Sequence, residues 1–247
     1  MTGVLKTWLG VLLWVPMVVL AEPLKVYGYD LDFRLQPNGE GHYHQFLAAI
    51  GEQGVVVDLD IVSLQRGLRY MEEEADACNF PATINAIMQS YPAFADIPLI
   101  AGEPVDHISL RVFTRPGEPV VSDMAELKGR RVALWNGLDP EALLRGAGAL
   151  VEPTPNESVR VRMLAAGRID VIIGFMPDVL LVAEAQGIPV PHYAESLALY
   201  LDEGATIVCR DTASNREQLA AFNVALNALK RSGELQRILG PFADIAE

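Results

Sequence analysis

Two runs of alternating short apolar segments and helix-periodic segments, separated by a proline–glycine break, constrain this chain more than any other feature. In the first run, Leu24–Tyr29 reads as a strand, and Tyr43, Phe46, Leu47 and Ile50 then fall on one face of a helix. Gly51 and Gly54 end that helix, and Val55–Ile61 reads as the next strand. Ser63 is placed to cap a helix carrying Leu64, Leu68 and Met71, and Ala75–Phe80 returns as a strand. Strands that alternate with helices in this way build a parallel sheet covered on both faces. His107–Phe113 alternates strictly and predicts a crossing strand, followed by the break Arg115-Pro-Gly-Glu-Pro119. The second run predicts strands at Arg131–Trp135, near Leu150 and at Asp170–Gly174. It predicts helices from Pro140, over 158–166 and over 177–186. Ile188–His192 and Ala205–Cys209 read as two further strands. A closing helix presents Leu219, Phe222, Leu226 and Leu229 and stops at Gly233.

The first 21 residues stand apart. Lys6, the apolar run Trp8–Leu20 and the small residues around Ala21 have the layout of a cleavable export signal, and the apolar run is too short for a comfortable bilayer span. A periplasmic, soluble product is therefore expected. With 32 acidic against 19 basic residues the formal net charge is −13, which disfavours nucleic acid and anionic membrane surfaces as partners. Cys78 and Cys209, the two cysteines, can pair in an oxidising compartment, but two buried free thiols at strand ends fit equally.

Several segments in order resemble bacterial extracellular solute-binding proteins of the type that serves polar amino-acid transporters. Leu24–Tyr29 is similar to that family's first strand, and Asn38-Gly-Glu-Gly-His-Tyr43 to its glycine-rich entry into the first helix. Leu68–Asp76 resembles its second helix and the start of the next strand. Asp123–Gly129, leading into Arg130-Arg-Val132, resembles the L-x-G-x-x-V entry to the second lobe, and Leu164-Ala-Ala-Gly-Arg-Ile-Asp170 the helix–turn–strand inside it. Leu219–Gly233 resembles the family's terminal helix. The resemblance implies an α/β fold of the periplasmic-binding-protein type II. Residues 22–112 and 196–247 would form one lobe, 113–195 the other, with a hinge at Val112–Arg115 and Val190–Ser196. It also implies a monomer that traps a small solute and delivers it to a membrane permease, with no cofactor.

This chain departs from the family where amino acids are held. No Lys or Arg lies between Arg69 and Arg111, where the resemblance places the arginine for an α-carboxylate. Asp139-Pro140 reads as a self-capped helix start, so the positive end of that helix dipole already faces an acid. Where the family places an acid for the α-ammonium stands Phe175, with Asp178 three residues on. The expected ligand-binding set is Tyr29, Asp30, Asn79, Phe80, Thr83, Trp135, Asn136, Gly137 and Phe175, with Tyr27 and Asp32 beside it. Aromatic walls with acids suit an uncharged or cationic organic solute, although Trp135 and Phe175 also fit a reading as core residues.

Other chemistry is less well supported. His42-x-His44 with Cys78 or His107 matches no metal-ligand spacing, and no metal is expected. Nucleophile elbows, phosphate loops and zinc-protease signatures are missing from the sequence. Asp30 and Asp32 form a carboxylate pair of the kind a dehydratase uses, yet two acids in a loop are commonly solvated or capping groups. A binding protein, not an enzyme, is expected. An accessory or sensor protein acting through a separate membrane partner is the alternative to transport.

Overall fold

The computed structural model describes residues 23–245, except the side chains of 89, 90, 92 and 200–203. The export signal assigned to residues 1–21 lies outside the described residues.

The first alternation folds as β1 (Leu24–Gly28), α1 (His42–Glu52), β2 (Val57–Ile61), α2 (Leu64–Glu73) and β3 (Cys78–Ala82). β1 pairs in parallel with both β2 and β3, as the strand–helix alternation requires. The spacing along α1 buries Tyr43, Phe46, Leu47 and Ile50 against the sheet. Two elements escape the apolar pattern because they are too short to show a period: α3 (Ile84–Ser90) and β4 (Leu99–Ala101). The Thr83 hydroxyl accepts from the Ala86 N–H at 3.1 Å and starts α3.

β5 (Asp106–Thr114) leads into the second lobe, built of β6 (Arg131–Trp135), α4 (Pro140–Leu144), β7 (Leu150–Thr154), α5 (Glu157–Ala165), β8 (Val171–Met176) and α6 (Asp178–Ala185). β6 pairs in parallel with β7 and β8, and β8 runs antiparallel to β5. The chain then returns by β9 (His192–Arg210), and α7 (Ala213–Ser232) and α8 (Glu234–Leu239) complete the first lobe. Gly233 closes α7 in the left-handed region at φ 74°.

The strand expected at 205–209 is the end of a longer element, β9, whereas 188–191 is irregular chain and only His192 of the strand expected at 188–192 belongs to β9. β9 runs unbroken for 19 residues, pairing with β5 in the second lobe and with β3 and β4 in the first. Strand order is therefore β2-β1-β3-β9-β5-β8-β6-β7, with β4 also on β9. The middle of β9 falls between the two strands expected from sequence, and the long β5 partner holds it extended. Register shifts between Ile108 and Phe113 mark where the two crossing strands twist from one lobe to the other.

Each lobe has its own core. In the first, Leu24, Val26, Phe46, Ile50, Phe222 and Leu226 pack between the sheet and helices α1 and α7. In the second, strand alternation sends Val132, Leu134 and Ile173 to one face and Ala133 and Ile172 to the other, where α5 and α6 cover them. Burying one such Phe, Leu, Ile or Val contributes about 1.5–3 kcal/mol. Cys78 and Cys209 stand opposite each other in the β3–β9 pair and form a disulfide across 131 residues of sequence, so the free-thiol reading does not hold.

Candidate functional site

The C-terminal ends of β1, β3, β6 and β8 meet between the lobes, the position where open α/β sheets hold ligands. Tyr29, just past β1, stacks on Trp135 at the end of β6, with ring centroids 5.8 Å apart and planes 21° from parallel. The Tyr29 hydroxyl donates to the Pro81 carbonyl at 3.0 Å, and burial holds that hydroxyl neutral by raising its pKa. These two rings, Phe175, Leu68 and Asn79 line a small cavity of about 60 Å³, and among the described residues none that is charged lines its wall. Asn79 is 1 % exposed, and among the described residues neither its Oδ1 nor its Nδ2 has a hydrogen-bond partner. Gly67 of α2 makes room for the amide: a Cβ there would stand 3.1 Å from Nδ2.

Trp135 and Phe175 also wall a second recess, shared with Asp30, Asp32, Glu157, Arg160 and Asp178. Here the lobes are tied by charge. A knuckle at Leu31–Leu35, closed by a bridge between those two residues, projects from the first lobe into the second. The Asp32 carboxylate accepts from the Ser158 N–H at 2.7 Å and so sits at the positive end of α5. Phe33, in the left-handed region at φ 64°, packs on the core beneath α5 and α6. Arg34, 2 % exposed, ion-pairs with Asp106 at the start of β5 and reaches Asp178 at the start of α6 at 3.3 Å. The guanidinium lies 4.1 Å from the Tyr43 ring centre, and the Tyr43 hydroxyl donates to Asp106 at 2.8 Å.

Burial raises the pKa of Asp178 against the opposing pull of Arg34. Burial pushes Glu157 up to about 7, although Arg160 hydrogen-bonds it and pulls the other way. Burial, with the nearby Asp32 charge, raises Asp30. His42, behind the knuckle, is lowered by burial and by the positive charge of Arg34.

Of the residues expected from sequence, Tyr29, Asn79, Trp135 and Phe175 share the uncharged cavity, and Asp30 and Asp32 lie in the acidic recess. Phe80 turns into the first-lobe core between Tyr43 and Phe46. Thr83 is occupied as the α3 cap. The Asn136 N–H donates to the Thr154 carbonyl at 2.9 Å, and Gly137 backs the Trp135 ring, where a Cβ would come within 2.6 Å. Tyr27 faces α2, against Tyr70 and Glu74. Asp139 caps the Glu141 N–H at 2.9 Å, the self-capped start expected for α4. His44 Nε2 lies 2.8 Å from the Gln36 carbonyl, and among the described residues no three His, Cys, Asp or Glu side chains are grouped to hold a metal.

The residues missed are Arg34, Tyr43, Asp106, Glu157 and Arg160. One signal was available: Arg34 is the lone basic residue between Lys25 and Arg66, set in the acid-rich Asp30-Leu-Asp-Phe-Arg34. A search for a fixed cation confined to the stretch after β3 passes it by.

No protein-family model and no curated protein matches the chain in sequence. Solved structures match in shape. A histidine kinase sensor domain with similarity to periplasmic binding proteins superposes with a TM-score of 0.70 at 19% identity, over 92% of this chain and 99% of that one. The GluR0 ligand-binding core from Nostoc punctiforme, in complex with L-glutamate, gives 0.68 at 19%, over 87% and 97%. An ancestral arginine-binding protein bound to arginine gives 0.65 at 19%, over 89% and 97%. The fold is therefore that of the two-lobed, type II periplasmic-binding-protein class. Among the described residues no helix is long and apolar enough to cross a membrane.

Proposed function

We propose that this chain is an exported, non-enzymatic binding protein that traps a small polar or aromatic solute between its lobes and delivers it to a membrane permease. One observation carries the reading: the carboxamide of Asn79 is buried without a partner in the wall of an aromatic cavity at the lobe junction. A buried polar group left unmatched costs about 1–3 kcal/mol, which a complementary ligand recovers. β5 and β9 run between the lobes, and closure would turn on those two strands. The sensor alternative keeps its place because one of the superposing structures is itself a kinase sensor domain, spanned almost entirely by this fold.

The test is a thermal-shift screen of the purified protein against amino acids, amines, nucleosides, sugars and organic acids. A solute at 100 times its Kd stabilises the fold by about 2.7 kcal/mol. Tyr29→Ala and Phe175→Ala should abolish that shift. Stabilisation by a solute that both variants still bind equally would place the site elsewhere.

A further inference from the structure

Resting on the reading of this cleft as a solute trap, we propose that its ligand is an uncharged planar heterocycle that presents an adjacent hydrogen-bond donor and acceptor, such as a nucleobase, a lactam or an aromatic carboxamide. Three features of the cleft converge on that chemistry. Asn79 offers one acceptor, Oδ1, and two donors on Nδ2, all unmatched and in one plane. A ligand edge carrying a donor beside an acceptor satisfies both atoms at once, in the way an amide side chain grips the N6/N7 edge of adenine. Exchange of Oδ1 and Nδ2 by rotation of the amide only reverses the order of the pair, so the demand for a mixed edge stands.

Tyr29, Trp135 and Phe175 make the walls of the same cavity, and flat rings stack on such walls. Charge is the third feature. Among the described residues no Asp, Glu, Lys or Arg lines this cavity, so an ionised group entering it would lose water with no counter-charge. Beside the adjoining recess the guanidinium of Arg34 is already paired with Asp106 and Asp178, and that of Arg160, in the recess wall, is hydrogen-bonded to Glu157. The N-terminus of α5 already holds Asp32. The groups that would grip a carboxylate are thus taken by the protein's own side chains, and an α-amino acid finds neither of its charges met.

The experiment is titration calorimetry of the purified protein with 9-methyladenine, 1-methylcytosine and nicotinamide. Their edge-blocked partners N6,N6,9-trimethyladenine, N4,N4,1-trimethylcytosine and N,N-diethylnicotinamide, with indole, benzoate and glutamate, are run beside them. At least one edge-bearing ring should bind, its alkylated partner about tenfold or more weaker, and Asn79→Leu should lower affinity for the parent ring alone. Because the alkylated partners test the edge on the ligand side, the result stands even if Asn79→Leu does not fold. Equal binding of the parent and blocked rings, or of indole, would overturn the edge assignment while leaving the solute trap intact. Preferential binding of benzoate or glutamate would overturn the exclusion of charge, and silence from every ring would overturn the proposal together with the aromatic site.

Discussion

The junction of the lobes depends on one guanidinium, and its removal has a calculable consequence. Arg34 pairs with Asp106 within reach of the first-lobe core and with Asp178 across the cleft, and both acids are buried. Arg34→Met keeps most of the stem volume and removes the charge, leaving two buried carboxylates near each other with no cation bonded to both. Breaking a buried pair from one side costs about 3–5 kcal/mol, because the remaining charge stays desolvated. The two acids differ in their escape. Asp178 is rehydrated if the lobes part, whereas Asp106 stays at 0 % exposure beneath Tyr43. Arg34→Met should therefore both open the cleft and lower the unfolding free energy by about 3 kcal/mol or more. Asp178→Asn is the contrast: it cuts the inter-lobe arm only and leaves Arg34–Asp106 in place. It should open the cleft with a stability loss near 1 kcal/mol, the size of one hydrogen bond exchanged for water. Urea unfolding followed by circular dichroism measures the first quantity, and the radius of gyration from small-angle scattering without ligand measures the second. Equal stability losses for the two variants, or an unchanged radius for both, would show that Arg34 does not hold the lobes together.

Three further outcomes follow from other contacts. Reduction of Cys78–Cys209 frees a 131-residue loop in the unfolded chain, and loop entropy puts the loss at about 5 kcal/mol as an upper figure; paired urea titrations with and without reductant would contradict this if they differ by less than about 1 kcal/mol. Glu157 keeps its proton in the folded state up to about pH 7, against 4.5 for the free side chain, so its contribution is complete below 4.5 and is lost as pH rises through 7. That is about 3 kcal/mol over the window, and Glu157→Gln should flatten it in stability–pH curves, a parallel offset at every pH being the contrary result. Asp32→Ala strips the acid from the N-terminus of α5 and should weaken lobe closure by about 1 kcal/mol, read as a larger scattering radius with unchanged circular dichroism; an unaltered radius would rule out that contact as a tie.

Much of the fold was legible because it is written in periods. The α1 stripe Tyr43-Phe46-Leu47-Ile50 repeats often enough to declare a helix, the apolar run Val132–Trp135 ahead of Gly137 reads as a buried strand, and both appear where expected. α3 and β4 were not legible, since seven and three residues are too few to set a period. The acidic middle of β9 carries no apolar alternation, and only pairing with β5 makes it a strand. The cleft divides along a similar line. Tyr29, Asn79, Trp135 and Phe175 stand at strand ends, so the sheet rule brings them together. Arg34 stands in a loop, and its partners lie 72 and 144 residues away; no local signal joins them.

The tie between the lobes bears on how a partner reads this protein. A ligand shifts a closure equilibrium only by its difference in affinity for the open and closed forms. Asp32 on α5 and Arg34 on Asp178 favour closure before any solute arrives, so part of the work that a ligand's own charges perform in such a cleft is done by the chain. An uncharged ring then has less to supply, which suits a cavity that offers stacking and one amide. The same tie narrows the gap between empty and loaded forms. If the latch alone holds nine molecules in ten closed, a solute can raise the closed population by little more than a tenth, and a permease that recognises only closure would engage empty protein. Delivery to a permease therefore requires the empty protein to be mostly open, with the latch worth less than the cost of bringing the lobes together. A sensor partner tolerates the opposite arrangement, because opening or loss of ligand is as good a signal as closure. The scattering radius of the wild-type protein, with and without a solute found in the thermal-shift screen, separates the two: a clear fall on loading favours delivery, and an empty protein already as small as the loaded one favours sensing.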